Sequence, residues 1–314
     1  MTMARTPSVA AAFADSWTTT SADGLAIRLY AWKSNRGGRP AVLWGHANGF
    51  AAGAYTALLQ DLSATMDVFA MDLRGHGGSG DPGPDYDRAM VADRFAFDLM
   101  AATRSIRQRL PAWPLHFAGH SVSGIGALRM GAVFGHAPFV SITLFEPPLA
   151  PSPDHPLHAE AALLGEGLAT RALRRKRVLP DPESFAASLA PRPAFDRWRP
   201  DMLQDFAIAT LTPSPDGDGW RLRCPPEAEA AIYRMTMDTS TFTALGAFRR
   251  PILFVESDPE MQGVAPSWAA KAQGAAVLRS PMGRLARIDR TSHMMPFERP
   301  EAVVEIVHAA VANS

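Results

Sequence analysis

The stretch Leu115-His116-Phe117-Ala118-Gly119-His120-Ser121-Val122-Ser123-Gly124-Ile125-Gly126 organises the rest of the chain. Leu115, Phe117 and Ala118 make a short apolar run that reads as a buried strand, and Ile125 onward continues with helical spacing. Between them the chain must turn sharply through small residues. A serine on a tight strand-to-helix turn presents its hydroxyl at the carboxyl edge of a sheet. The Val122 amide, at the start of the following helix, is placed to donate to a developing oxyanion. The usual pattern is G-x-S-x-G; here Ser123 stands at the last glycine position and Gly124 follows it. Alone the motif is weakly specific, because glycine and serine recur in any tight turn.

Outward from this turn, a continuous apolar run at Ala41–Trp44 and further strand-like segments at Val68–Met71, Phe139–Phe145 and Pro251–Val255 recur. Helical spacing separates them at Tyr55–Ala64 and Val91–Leu110. Buried strands alternating with helices predict a doubly wound, mostly parallel sheet. The right-handed crossovers of such a sheet bring the strand-end loops at His46, Asp72 and Ser121 to one edge. A hairpin around Ala22-Asp23-Gly24 precedes them, and Arg284–Asp289 alternates as a last edge strand. Ser267–Gln273 and Glu301–Val311 read as helices.

The rhythm stops after Glu146-Pro147-Pro148. About a hundred residues follow that are rich in alanine, arginine and proline, with no convincing strand. Leu157–Arg177, Pro182–Leu189, Pro200–Ala209 and Pro226–Met235 read as helices, several opening at proline. This predicts a core of residues 15–148 and 249–314 with a helical cap, 149–248, inserted above the serine. Phe195, Trp198, Met202, Phe206 and Met235 are candidate cap lining. The basic run Arg171, Arg174, Arg175, Lys176 and Arg177 reads first as a solvated helix face, with attraction of anionic substrates as the alternative.

Composition removes other classes. Thirty-one basic residues balance 31 acidic ones, so no global field gathers nucleic acid or an anionic membrane. The single cysteine, Cys224, excludes an internal disulfide and a cysteine-built metal cage, which suits a cytoplasmic setting. No apolar run approaches the ~18 residues that span a bilayer. The patch Val9–Ala14 after Arg5 is short for a signal peptide and reads as a loose N-terminal arm. There is no H-E-x-x-H, and the Gly75–Gly80 loop lacks the lysine of a phosphate-binding loop. No metal and no cofactor are therefore expected; the partner is a small-molecule substrate, and oligomeric state is open.

A serine hydroxyl needs a base, and the base needs an acid. His293, in the loop after the last strand, is the candidate base. His46 and His76 lie on the same edge but are flanked by small residues and read as loop formers, while His120 points away from the elbow. The acid has three candidates. Glu146 ends an apolar strand, where a carboxylate requires a partner; Asp258 and Glu260 lie in a polar turn after the strand that follows the cap. The order is Glu146, Asp258, Glu260. Val122 supplies one oxyanion donor and Ala47 or Asn48 the second, with the Asn48 side chain a further donor.

With these residues in hand, the chain resembles the α/β-hydrolase superfamily in its group with a helical cap. The resemblance rests on the GHANGF, DLRGHGGS, GHSVSG and SHMMPFERPE segments, which occur in order across residues 41–310. It implies the α/β-hydrolase fold, Ser121 as nucleophile, His293 as base, and an oxyanion hole from Val122 and the loop after His46. Some members take their acid from the strand after the elbow, and Glu146 matches that arrangement. The expected activity is cofactor-free cleavage of a carboxylic ester or lactone of a hydrophobic small molecule, by esterase or lactonase chemistry. Carbon–carbon bond hydrolysis and non-catalytic ligand binding are the alternatives.

Overall fold

The structure, a computed structural model, describes residues 13–32, 38–110, 113–135, 137–261 and 268–314. The N-terminal patch before Phe13, most of the turn before Pro40 and Ser267 lie outside them. Eight strands form the main sheet: β1 (Phe13–Thr20), β2 (Ala26–Trp32), β3 (Ala41–Gly45), β4 (Asp67–Met71), β5 (Leu115–His120), β6 (Ile142–Phe145), β10 (Ile252–Ser257) and β11 (Gly283–Ile288). Their order is β1-β2-β4-β3-β5-β6-β10-β11. The first hairpin joins antiparallel and the remaining neighbours run parallel. β3, β4, β5 and β6 are buried at every position, as continuous apolar runs covered on both faces must be. β6 starts three residues later than expected, at Ile142, while Phe139 packs its ring on Phe117.

Helices α1 (Thr56–Leu62), α2 (Ala92–Arg109), α3 (Ser123–Phe134), α8 (Trp268–Arg279) and α9 (Pro300–Ala312) accompany the sheet. Between β6 and β10 lie α4 (His158–Leu173), α5 (Pro182–Leu189), α6 (Pro200–Thr210) and α7 (Pro226–Met235). Three proline-initiated helices follow the preference for proline in the first helical turn.

Two features differ from the sequence reading. The inserted segment carries a small antiparallel sheet of β7 (Val178–Leu179), β8 (Leu211–Pro213) and β9 (Trp220–Leu222), in the order β7-β9-β8. Strands of two or three residues are too short to leave an alternation. And α4 ends at Leu173, so Arg174, Arg175, Lys176 and Arg177 lie beyond the helix rather than on its face.

The insert is packed into the molecule, not perched on it. Phe185, Trp198, Met202 and Phe206 share one apolar cluster with Phe50, Tyr55 and Phe297. Phe242, Leu245 and Phe248, near its end, join the cluster beneath the sheet's other face, where Phe248 rests on Gly131 of α3.

Candidate active site

Ser121 follows β5 with φ +57°, a left-handed conformation that a non-glycine residue holds only when its surroundings impose it. The imposing contacts are local. The Ser121 amide donates to the Phe145 carbonyl at 2.9 Å, and the Ser121 carbonyl accepts from Gly124 N–H at 3.0 Å. Close packing does the rest. A Cβ at Gly119 would lie 2.6 Å from Ser123 Oγ, and one at Gly45 only 2.5 Å from Ser123 Cβ. Ser123 therefore occupies room left by two glycines on neighbouring strands. Its hydroxyl turns back to the His120 carbonyl at 3.0 Å, so the departure from G-x-S-x-G neither crowds the turn nor adds a free hydroxyl.

The structure brings Glu146 to His293. Glu146 is fully buried at the end of β6, with φ +47°. Its Oε2 accepts from His293 Nδ1 at 2.7 Å and its Oε1 from the Ser257 amide at 2.7 Å. Burial pushes this carboxyl up, but the His293 hydrogen bond and charge and the Ser257 hydrogen bonds outweigh it and hold the group below its usual range. The carboxylate fixes the His293 tautomer: Nδ1 carries the proton and Nε2 is left as a base. Asp258 has another task. Its Oδ2 accepts from the Arg290 amide at 2.9 Å and its Oδ1 from the Glu260 amide at 2.9 Å, which braces the loop leading to His293. Asp258 and Glu260 make no hydrogen bond to His293.

Near the elbow the amides of Val122, Ser123 and Asn48 have no protein partner among the described residues. The alternative donor, Ala47 N–H, is taken by Tyr55 Oη at 3.2 Å. The Asn48 side chain reaches the inserted segment, one N–H of its Nδ2 donating to the Glu229 carbonyl on α7 at 2.9 Å.

His46 and His76 are held as donors and acceptors within their loops. Leu73 N–H donates to His46 Nε2 at 2.9 Å and Gly49 N–H to His76 Nε2 at 3.0 Å, while each Nδ1 donates to a carbonyl. Burial lowers His46 to about 4 and, with the field of His46, His76 to about 3, so both are neutral loop staples.

His120 does more than point away. The chain Ala47 N–H to Tyr55 Oη, Tyr55 O–H to His120 Nδ1 at 2.8 Å, and His120 Nε2–H to the His293 carbonyl at 2.8 Å ties the loop after β3 to the backbone of His293. A carbonyl can only accept, so the donor direction is determined. Tyr55 and His120 are far apart in sequence, and no local pattern announces this link.

Beside the site lies a cavity of about 1110 Å³. Asn48, Gly49, Phe50 and Met294 line it from the core, with Phe195, Trp198 and Phe206 opposite. Ser121 and His293 are not lining side chains, whereas Asn48 and Met294, the residue after His293, are. Met202 and Met235, expected to line the cap, are packed in apolar clusters instead. Among the described residues no group of histidine, cysteine and carboxylate side chains could hold a metal ion, and no helix is long and apolar enough to cross a membrane.

A serine on a strained elbow, a carboxylate-bound histidine and free amides on an eight-stranded sheet define a class. Residues 41–306 match the model of the alpha/beta hydrolase family, and the chain belongs to that family. Solved structures share the fold. An E-2-(acetamidomethylene)succinate hydrolase superposes with a TM-score of 0.74 at 19% identity, over 95% of this chain and 99% of that one. A malate-bound thermophilic esterase from Thermogutta terrifontis gives 0.65 at 20%, over 96% and 99%. An enol-lactonase from Burkholderia xenovorans LB400 gives 0.63 at 14%, over 94% and 100%. No curated protein is a significant sequence match.

Proposed function

We propose that the protein is a serine hydrolase that cleaves a carboxylic ester or lactone of a small molecule through an acyl-enzyme. The observation that carries this reading is the 2.7 Å bond from His293 Nδ1 to the buried Glu146, set at the same sheet edge as the strained Ser121 turn. Ser121 attacks the carbonyl carbon while His293 Nε2 takes its proton. The Asn48 and Val122 amides receive the oxyanion, and Glu146 stabilises the imidazolium. His293 then returns the proton to the leaving alkoxide, and water, activated by the same histidine, releases the acid. The partly apolar cavity suits a small organic substrate. Ester and lactone hydrolysis also appear among the structural neighbours, which is consistent with this chemistry.

Fluorophosphonate labelling, read by intact mass and peptide mapping, tests the mechanism. Wild type labels at Ser121. Labelling collapses in Ser121→Ala and His293→Ala, and Glu146→Gln lowers ester turnover by ~10³–10⁴-fold whereas Asp258→Asn does not. A folded wild type that neither labels nor turns over any ester or lactone would overturn the reading.

A further inference from the structure

In a chain whose formal charge is zero, the cavity beside the site is unevenly charged. Arg171, Arg174, Arg175, Lys176 and Arg192 line it, against two carboxylates, Glu229 and Asp218. Arg175 pairs with Glu229, and this pair packs on Gly49 at the floor, where a Cβ would lie 3.0 Å from Glu229 Oε1. Arg171, Arg174 and Lys176 form no ion pair with the described residues. Arg177, the next cation in the chain, does not line the cavity and is paired with Glu227. Within the run 171–177, the three cations without an ion pair, all solvent-exposed, line the cavity, and Arg192 joins them from the opposite segment without one.

Cations near the end of α4 complement its dipole, but that effect fades within the last turn and leaves their convergence on a cavity unexplained. Two lining residues, Trp198 and Asn48, also carry a buried polar atom, Nε1 and Oδ1, without a partner among the described residues. Trp198 is only 5% exposed, and its N–H is a donor with nothing to donate to. A cleft lined by one sign of charge concentrates the opposite sign.

We infer that the substrate carries a carboxylate in addition to its scissile ester or lactone, and that Arg171, Arg174 and Lys176 recognise it. This rests on the hydrolase reading and narrows its substrate class. A carboxylate fits better than a phosphate, because the backbone amides at the start of α5 are not free to cradle one: Asp181 caps that helix, accepting from the Ser184 amide at 2.7 Å.

The test compares para-nitrophenyl esters of equal chain length, the glutarate monoester and the pentanoate. In wild type at low salt, kcat/KM favours the glutarate ester by at least ~10-fold, and half-molar sodium chloride erodes the ratio. The triple variant Arg171→Gln/Arg174→Gln/Lys176→Gln brings the ratio near unity, whereas Arg177→Gln keeps it. A wild-type ratio at or below one, or a ratio that survives in the folded triple variant, overturns the inference. If neither ester is hydrolysed, fluorophosphonate labelling of Ser121 judges the hydrolase reading separately, and calorimetric titration with glutarate decides the site. Saturable binding lost in the triple variant supports it; absent or undiminished binding overturns it. Inorganic phosphate, titrated alongside, must bind more weakly than glutarate, and the reverse order overturns the choice of carboxylate.

Discussion

Ser121 and Glu146 both hold positive φ, and each such non-glycine residue costs on the order of 1–3 kcal/mol. The strain sits at the two ends of one hydrogen-bonded edge, since Ser121 N–H donates to the Phe145 carbonyl beside Glu146. A second residue-scale cost is the burial of neutral histidines. Unfolded, His46 and His76 titrate near 6.5; folded, burial holds them at about 4 and about 3. Between those limits the unfolded chain binds more protons. Stability is therefore full above pH 6.5 and falls as the pH drops through that window, by up to ~1.4 kcal/mol per pH unit for each histidine. Urea unfolding at pH 7 and pH 5 should show this loss, and His46→Gln, itself less stable at pH 7, should show a smaller difference between the two.

At the scale of elements, the site depends on how closely β3, β5 and α3 approach. Gly45 and Gly119 leave the space that Ser123 fills, so the tightness usually given to one glycine is shared among three positions. Gly45→Ala would place its Cβ 2.5 Å from Ser123 Cβ and should destabilise the protein by ~1–3 kcal/mol. Adding Ser123→Gly should recover part of that loss, leaving the Phe117 ring at 3.0 Å as the remaining contact. Chemical denaturation of the single and double variants measures the coupling. Equal stability of the two would mean that Ser123 is not the obstacle.

Across the whole molecule, an aromatic group ties the insert to the loop after β3 and to the loop that carries His293. Phe50 follows the loop after β3 and Phe297 follows His293. The Phe50 and Phe206 ring centroids are 4.7 Å apart, and Trp198 stacks on Phe297 at 4.3 Å. The apolar cluster runs from sheet to insert without a break. Calorimetry should accordingly show one unfolding transition for the whole chain. Phe206→Ala, which empties a buried site, should lower its stability by ~3–5 kcal/mol. Two resolved transitions, with only one moved by the variant, would contradict this packing.

Local patterns in the sequence determined a great deal. Apolar runs and helical spacings located the sheet strands and most helices within a few residues, because burial on both faces leaves an unbroken apolar signature. The order of the loops placed His46, Asp72, Ser121 and His293 on one edge. Glu146 stood out because a carboxylate at the end of a buried strand needs a partner. What only the tertiary structure decided were relations between distant residues. The pairing of His293 with Glu146 and not with Asp258, the Tyr55–His120 link and the use of Ala47 N–H by Tyr55 all depend on side chains that meet across the fold. The facing of Arg171, Arg174 and Lys176 into one cavity is of the same kind, since it depends on where α4 stops and what packs opposite. Periodicity reports which face of an element is buried; it carries no record of which atom of which distant residue lies against it.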